Sequence, residues 1–74
     1  MKVVVRCIYY EPVTPSCDII EMDDEIWREF LYAKDRRRIE IALKLLGKEE
    51  METYVRELAW IPFDGQIKII ENKP

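Results

Sequence analysis

The sequence predicts a small α+β domain in which an antiparallel sheet of two to three strands carries two to three helices on one face. Three observations predict it. Residues near the start of the chain are β-branched and aromatic, apolar residues in the middle recur at helical spacing, and 74 residues suffice for one domain only. We expect strands at about 2–10, 17–22 and 66–71, helices at about 24–33, 35–46 and 48–59, and a single domain over 1–74.

The first predicted strand, KVVVRCIYY, has two apolar faces. Alternation places one set of side chains on one face and a second set on the other: Val3, Val5, Cys7 and Tyr9, against Val4, Arg6, Ile8 and Tyr10. We therefore expect this strand to be central in the sheet, or to have its second face covered by another molecule. Pro12 and Pro15 predict a loop, because proline cannot donate to a ladder. Residues 17–22 then return as the second strand of a hairpin.

The helical region begins at Asp23, which is a favoured N-cap and is followed by carboxylates suited to the first turn. Residues 24–46 allow one long helix or two shorter ones. One long helix would place Lys34 and Arg38 inside the apolar stripe, which is unfavourable in a compact monomer. We therefore favour a break at 33–35, with Asp35 capping the second helix. Gly47 is a suitable residue to end that helix.

The last third of the chain predicts a helix and then a strand. Met51, Tyr54, Val55 and Leu58 repeat the helical spacing and predict the helix at 48–59. Pro62 and the turn signal at 64–65 end this helix. Residues 66–71, QIKIIE, then predict the closing strand.

The composition argues against catalysis, and we expect no catalytic, cofactor-binding or metal-binding residues. The 74 residues include no histidine, so the commonest general base and the commonest metal ligand are both missing. Two glycines cannot build a phosphate-binding glycine loop. An acidic cluster resembles an oxygen ligand set but lacks the spacing of a calcium loop, and helix capping accounts for it: Asp18, Glu21, Asp23, Asp24 and Glu25.

Cysteine usage and hydropathy predict a cytoplasmic protein with reduced thiols. Two cysteines are too few for the disulfide framework of a small secreted domain. No apolar run approaches the ~20 residues of a membrane helix. Glu, Lys and Arg total 22 residues whereas Gln and Asn occur once each, a composition typical of thermophiles that hints at an archaeal or viral source.

A basic cluster is the first candidate contact surface. Residues 34–38 carry four cations and one anion in a chain whose net charge is -3: Lys34, Arg36, Arg37 and Arg38, with Tyr32 beside them. Arginine binds phosphates and carboxylates, so the cluster is a candidate contact for a protein partner or for nucleic acid. The alternative is a solvated helix turn in which Glu40 pairs with Arg36 or Arg37. The acidic net charge weakens the nucleic-acid hypothesis.

Aromatic residues suggest a second contact surface. The chain holds eight aromatic residues, more than a minimal core can bury, and we select Tyr10, Trp60 and Phe63 as candidate interface residues. The sequence therefore predicts a non-enzymatic interaction protein of the regulator or inhibitor type, acting as a homodimer on an unidentified protein partner. The competing hypothesis is a nucleic-acid-binding protein that uses 34–38. No membrane partner is expected.

Overall fold

A three-stranded antiparallel sheet forms one layer of the protein and helices form the other, as the computed structural model describes for residues 1–63. The elements follow in the order β1 (Lys2–Tyr9), β2 (Ser16–Glu21), α1 (Asp24–Tyr32), α2 (Asp35–Leu46), a 3₁₀ helix (Glu49–Tyr54) and β3 (Val55–Phe63). The predicted α+β class is confirmed. None of the helices in this part of the chain has both the length and the apolar character needed to cross a membrane.

Strand β1 is the central strand, as its two apolar faces predicted. It pairs antiparallel with β2 on one side and with β3 on the other. The loop between β1 and β2 contains the two expected prolines, with a cis peptide bond before Pro12. The core face of β1 is buried along its whole length, from Val3 to Tyr9. That face packs against the helices, where Phe30 and Ile41 join Val3 and Val5 in one apolar cluster.

Helix α1 starts as the sequence predicts. Asp23 is the N-cap, and its side chain accepts a hydrogen bond of 2.8 Å from the backbone N–H of Ile26. Asp24 and Glu25 occupy the first turn, where the positive end of the helix dipole favours carboxylates. The helix buries Phe30 and ends at Tyr32.

The favoured break between two helices is confirmed, although its cap differs from the prediction. Lys34, rather than Asp35, is the N-cap of α2, and no side-chain hydrogen bond caps this end. Asp35 is the first helical residue, where its carboxylate still suits the dipole. Gly47 ends α2 as predicted, in the left-handed conformation at φ 72° that suits glycine.

The predicted helix at 48–59 is wrong beyond residue 54. A 3₁₀ helix covers Glu49–Tyr54, and β3 begins at Val55 and pairs with the whole of β1. Tyr9 pairs with Val55 and Ile8 with Glu57, so Arg56 is an extra residue in a β-bulge. The bulge turns Val55 and Leu58 to the same face although they are three residues apart, which imitates helical spacing. The predicted strand at 66–71 lies outside the described residues.

Candidate interaction surface

No helix or strand of residues 1–63 covers the sheet face opposite α1 and α2, which we call the open face, and an apolar row crosses it. Val4 of β1 pairs with Ile19 of β2 and with Ile61 of β3, so the three side chains lie side by side across the sheet. Val4 is half-buried, whereas Ile19 is 56% and Ile61 44% exposed. A row of three aliphatic side chains, of which the outer two are exposed, is the feature expected of an interaction surface. We call these three residues the apolar row.

Two cations flank the apolar row along the central strand. Lys2 and Arg6 lie two residues before and two residues after Val4, on the same face of β1. Arg6 lies between Cys17 of β2 and Ala59 of β3, neither of which is charged. Within residues 1–63, no carboxylate lies within 4.0 Å of the side-chain nitrogens of either cation. The central strand therefore presents positive charge beside apolar surface.

The carboxylates of the open face lie on the outer strands, and Glu21 is the register partner of Lys2 across the β1–β2 ladder. Glu21 of β2 is 3.5 Å from the N-terminal ammonium group of Met1. Glu57 of β3 is 3.7 Å from its neighbour Arg56. The open face is thus cationic along its centre, apolar across its middle and acidic at two flanking positions.

Two of the three predicted interface aromatics lie at opposite ends of β1. The register places Phe63 beside Lys2 on the open face, where it is half-buried. Tyr10 follows directly after β1 and is exposed. Phe63 therefore extends the apolar surface of the open face at its Lys2 end.

The third predicted aromatic, Trp60, points to the core face of β3. Its ring meets those of Phe30 and Trp27 edge to face, with centroids 5.0 Å and 5.8 Å apart. The guanidinium group of Arg38 lies 5.1 Å from the Trp60 ring centroid. Trp60 is half-buried there, as part of the aromatic core.

The basic cluster does not form one surface, because Arg38 turns inward. Its Nε donates a hydrogen bond of 2.8 Å to the carbonyl oxygen of Phe30, and its Nη2 donates one of 2.7 Å to that of Leu31. Nη1 lies 3.3 Å from Asp35. The side chain is 20% exposed. Arg38 therefore holds the end of α1 against the start of α2.

Arg37 pairs with carboxylates of both helices. It donates hydrogen bonds of 2.9 and 2.7 Å to Glu29 of α1 and one of 3.0 Å to Glu40 of α2. The hydrogen bonds to Glu29, and then those to Glu40, raise the pKa of Arg37. The predicted pairing of Glu40 with a cluster arginine is thus confirmed for Arg37. Among the described residues, the one carboxylate near Arg36 is that of Glu52, at 3.9 Å.

Tyr32 and Lys34 are the other members of the basic cluster, and both point away from the core. Tyr32 is 80% exposed at the end of α1. Lys34 is exposed, and within residues 1–63 no carboxylate lies within 4.0 Å of its ammonium group. Tyr32, Lys34 and Arg36 are therefore accessible to a ligand, whereas Arg37 is 53% exposed but already pairs with Glu29 and Glu40.

The thiols and carboxylates do not assemble into a reactive site in the described part of the chain. Both cysteines are free, and burial raises the pKa of the Cys7 thiol. The hydroxyl groups of Tyr9 and Ser16 share a hydrogen bond of 3.1 Å near it. Among residues 1–63, no group of three or more Cys, Asp or Glu side chains is placed to hold a metal ion.

Sequence reasoning identified the second apolar face of β1 but not the residues beside it. Ile61 was not selected because the third strand was predicted at 66–71, and Ile19 was not selected because only aromatic residues were considered for the second contact surface. A signal was present: Glu57, Ala59, Ile61 and Phe63 alternate with core-facing residues over 57–63. The bulge at Arg56 hid that alternation behind an apparent helical period.

Comparisons of the chain with protein-family models, with curated proteins and with solved structures found no match. Fold and surface together define a small α+β domain with a helix-covered sheet face and an open, partly apolar one. Its function must be inferred from that open face.

Proposed function

We propose that the protein is a non-enzymatic interaction protein, of the regulator or inhibitor type, that binds a partner protein through the open face. The observation that supports this proposal is the apolar row, in which Ile19 and Ile61 are exposed on either side of Val4. Apolar groups that form a row across a sheet are shielded from water when a partner packs on them, and that burial favours binding. With both thiols free, the proposal includes a cytoplasmic location, where thiols stay reduced.

The internal contacts of the basic cluster favour the open face over nucleic-acid binding by 34–38. Arg38 and Arg37 already satisfy carbonyl and carboxylate groups of the protein. Binding phosphate through either residue would break these contacts. Tyr32, Lys34 and Arg36 leave a smaller cationic surface for the competing hypothesis.

The proposed interaction is tested with a variant of the apolar row, Ile19→Ser with Ile61→Ser. The matched control is Leu45→Ser, which removes an exposed aliphatic side chain from α2, in the helix layer. All proteins are first checked for native circular dichroism and then used as immobilised bait for an extract of the native host. We expect proteins retained by the wild type and by the control to be lost from the double variant. Equal retention by all three baits would contradict the proposal.

A homodimer is a second candidate, and the edge of β2 favours it. In the sheet that residues 1–63 form, β2 is an edge strand with six residues and no proline, whereas the other edge strand, β3, contains Pro62. An edge without proline is free to pair with a second copy of itself. Light scattering over a concentration series checks this candidate. A strict monomer at tens of micromolar would exclude it.

The nucleic-acid hypothesis is tested with the members of the basic cluster that a ligand can reach. Retention on an oligonucleotide column that falls as salt rises would support it. Lys34→Glu with Arg36→Glu should then abolish retention without disturbing Arg38. Retention that persists in this variant would place the contact elsewhere.

A further inference from the structure

We infer that the partner segment that binds the open face is an acidic amphipathic helix, whose apolar side chains cover the apolar row and whose carboxylates meet Arg6 and Lys2. This inference rests on the proposed function and adds the chemistry of the partner. It follows from the charge of the central strand, from the symmetry that a second copy would require, and from the dimensions of the face.

Arg6 decides the charge of the partner. It lies in the central strand between Cys17 and Ala59, and no carboxylate of residues 1–63 is within 4.0 Å of it. A partner that covers the apolar row also removes water from this guanidinium group. Covering an ion without a counter-ion is costly, so a partner that brings a carboxylate is favoured. Arginine favours such a group because its planar fork matches the two carboxylate oxygens.

A second copy of the chain does not provide that carboxylate. β1 is the central strand, so in a dimer whose twofold axis passes over Val4, along the strands or across them, β1 packs on β1. Along the strands, Arg6 then faces Arg6 and Lys2 faces Lys2. Across the strands, Lys2 faces Arg6. Both arrangements bring like charges together at the centre of the interface, which disfavours the complex.

Nucleic acid fits the open face poorly. Glu21 and Glu57 flank the central strand and would repel a phosphate backbone that crossed the sheet. The apolar row is aliphatic, whereas single-stranded nucleic acid binds to sheets by stacking bases on aromatic rings. The same two carboxylates also require an acidic protein segment to lie along β1 rather than across it.

The dimensions of the face match one helix. Lys2 and Arg6 are four residues apart on a strand, or about 13 Å at ~3.3 Å per residue. Two carboxylates eight residues apart on a helix are about 12 Å apart at ~1.5 Å per residue, which matches the separation of Lys2 and Arg6. The helical residue midway between the two carboxylates then lies over Val4. The apolar row spans two strand spacings, about 10 Å, which is close to the width of a helix with its side chains. The predicted pattern in the partner helix has an acidic residue at position i, an apolar residue at i+4 and a second acidic residue at i+8.

The experiment uses two synthetic helical peptides that differ only at the two charged positions. One carries Glu at both positions and the other carries Lys, with Leu midway in each. Fluorescence anisotropy measures their binding to the full chain, to Arg6→Glu and to the control Arg28→Glu, which makes the same charge change on an exposed residue of α1. We expect the wild type and the control to bind the Glu peptide at least about tenfold more tightly than the Lys peptide. Arg6→Glu should reverse that preference.

Alkylation of Cys17 gives a second readout of where the peptide binds. Cys17 is exposed beside Arg6, whereas Cys7 is buried on the core face and serves as an internal reference. We expect the Glu peptide to slow alkylation of Cys17 in proportion to occupancy.

Each other outcome overturns the inference. Both peptides could bind equally well to the wild type and lose binding in the double variant Ile19→Ser with Ile61→Ser. This result would show an apolar site without charge selection. The proposed function would then stand and the inference would fail. Binding of the Glu peptide that is unchanged in Arg6→Glu would place the contact elsewhere. Failure of the Glu peptide to bind would also reject the inference, while the extract experiment would still decide the proposed function. A dimer that Ile61→Ser abolishes would identify a second copy as the occupant.

Discussion

The Nε of Arg38 donates a hydrogen bond of 2.8 Å to the carbonyl oxygen of Phe30, and this contact joins the start of α2 to the end of α1. The last carbonyls of a helix have no partner within it, and the negative end of the dipole favours a cation there. Helix α1 has no basic residue in its own last turn. Arg38 supplies the missing cation from the next helix, and its guanidinium group also lies 5.9 Å from the Phe30 ring centroid. A residue of the basic cluster is therefore a structural element of the helix break.

Arg38→Ala should lower the free energy of unfolding by about 2 kcal/mol, because two partly buried carbonyl groups lose a charged donor. Urea unfolding followed by tryptophan fluorescence measures the change. Arg36→Ala is the control, since within residues 1–63 Arg36 makes only the distant contact with Glu52, and it should leave the midpoint nearly unchanged. Equal midpoints for the two variants would refute the structural role of Arg38.

Phe30→Ala should leave the chain largely unfolded at room temperature. Phe30 is fully buried between Trp27 and Trp60, and removal of such a ring costs about 3–5 kcal/mol. The whole stability of a domain this small rarely exceeds ~3–5 kcal/mol. Near-ultraviolet circular dichroism reports the loss of the packed aromatic cluster. Tyr32→Ala, two residues further along the same helix and exposed, should keep the native spectrum; a native spectrum for Phe30→Ala would contradict the packing.

The register of β3 predicts opposite results for two adjacent residues. Leu58 faces the core, where it packs against the apolar cluster of Val3 and Val5 and against a second cluster that includes Cys7 and Val55. Ala59 faces the open side. Leu58→Lys should destabilise the protein by about 2 kcal/mol or more, because it removes apolar burial and brings an ammonium group toward the core. Ala59→Lys should be tolerated. Thermal unfolding compares the two; a reversed order of stability would mean that the strand is out of register.

Cys7 predicts a loss of stability at high pH. Burial raises the pKa of its thiol above the ordinary value of 9.0, so the folded state keeps the proton that the unfolded state releases. The thiol therefore stabilises the fold below pH 9.0, and this contribution declines as the pH rises toward the folded pKa. Urea unfolding from pH 8 upward compares the single variant Cys17→Ala with the double variant that also carries Cys7→Ala. The difference in stability between the two proteins isolates the effect of Cys7. The stability difference should shrink above pH 9.0; a constant difference would exclude the linkage.

Local sequence signals predicted the helical half of the fold well. Asp23 capping α1, the break before α2 and Gly47 ending α2 all depend on contacts within a few residues, which a local pattern records. The cap of α2 was misassigned by one residue, because Lys34 occupies that position without a side-chain bond. Most of the candidate surface escaped prediction for a different reason. Ile61 joins it only through long-range pairing with Val4.

The sequence by itself determined the α+β class, the two helices with their break, and a first strand that is apolar on both faces. Only the tertiary structure decided which segment is the third strand, and so which residues stand beside Val4 on the open face. The physical reason is the bulge at Arg56, which brings Val55 and Leu58 to one face of a strand at a spacing that a helix shares. Pairing with β1 resolves this ambiguity, and that pairing joins residues roughly fifty positions apart, beyond the reach of any local pattern.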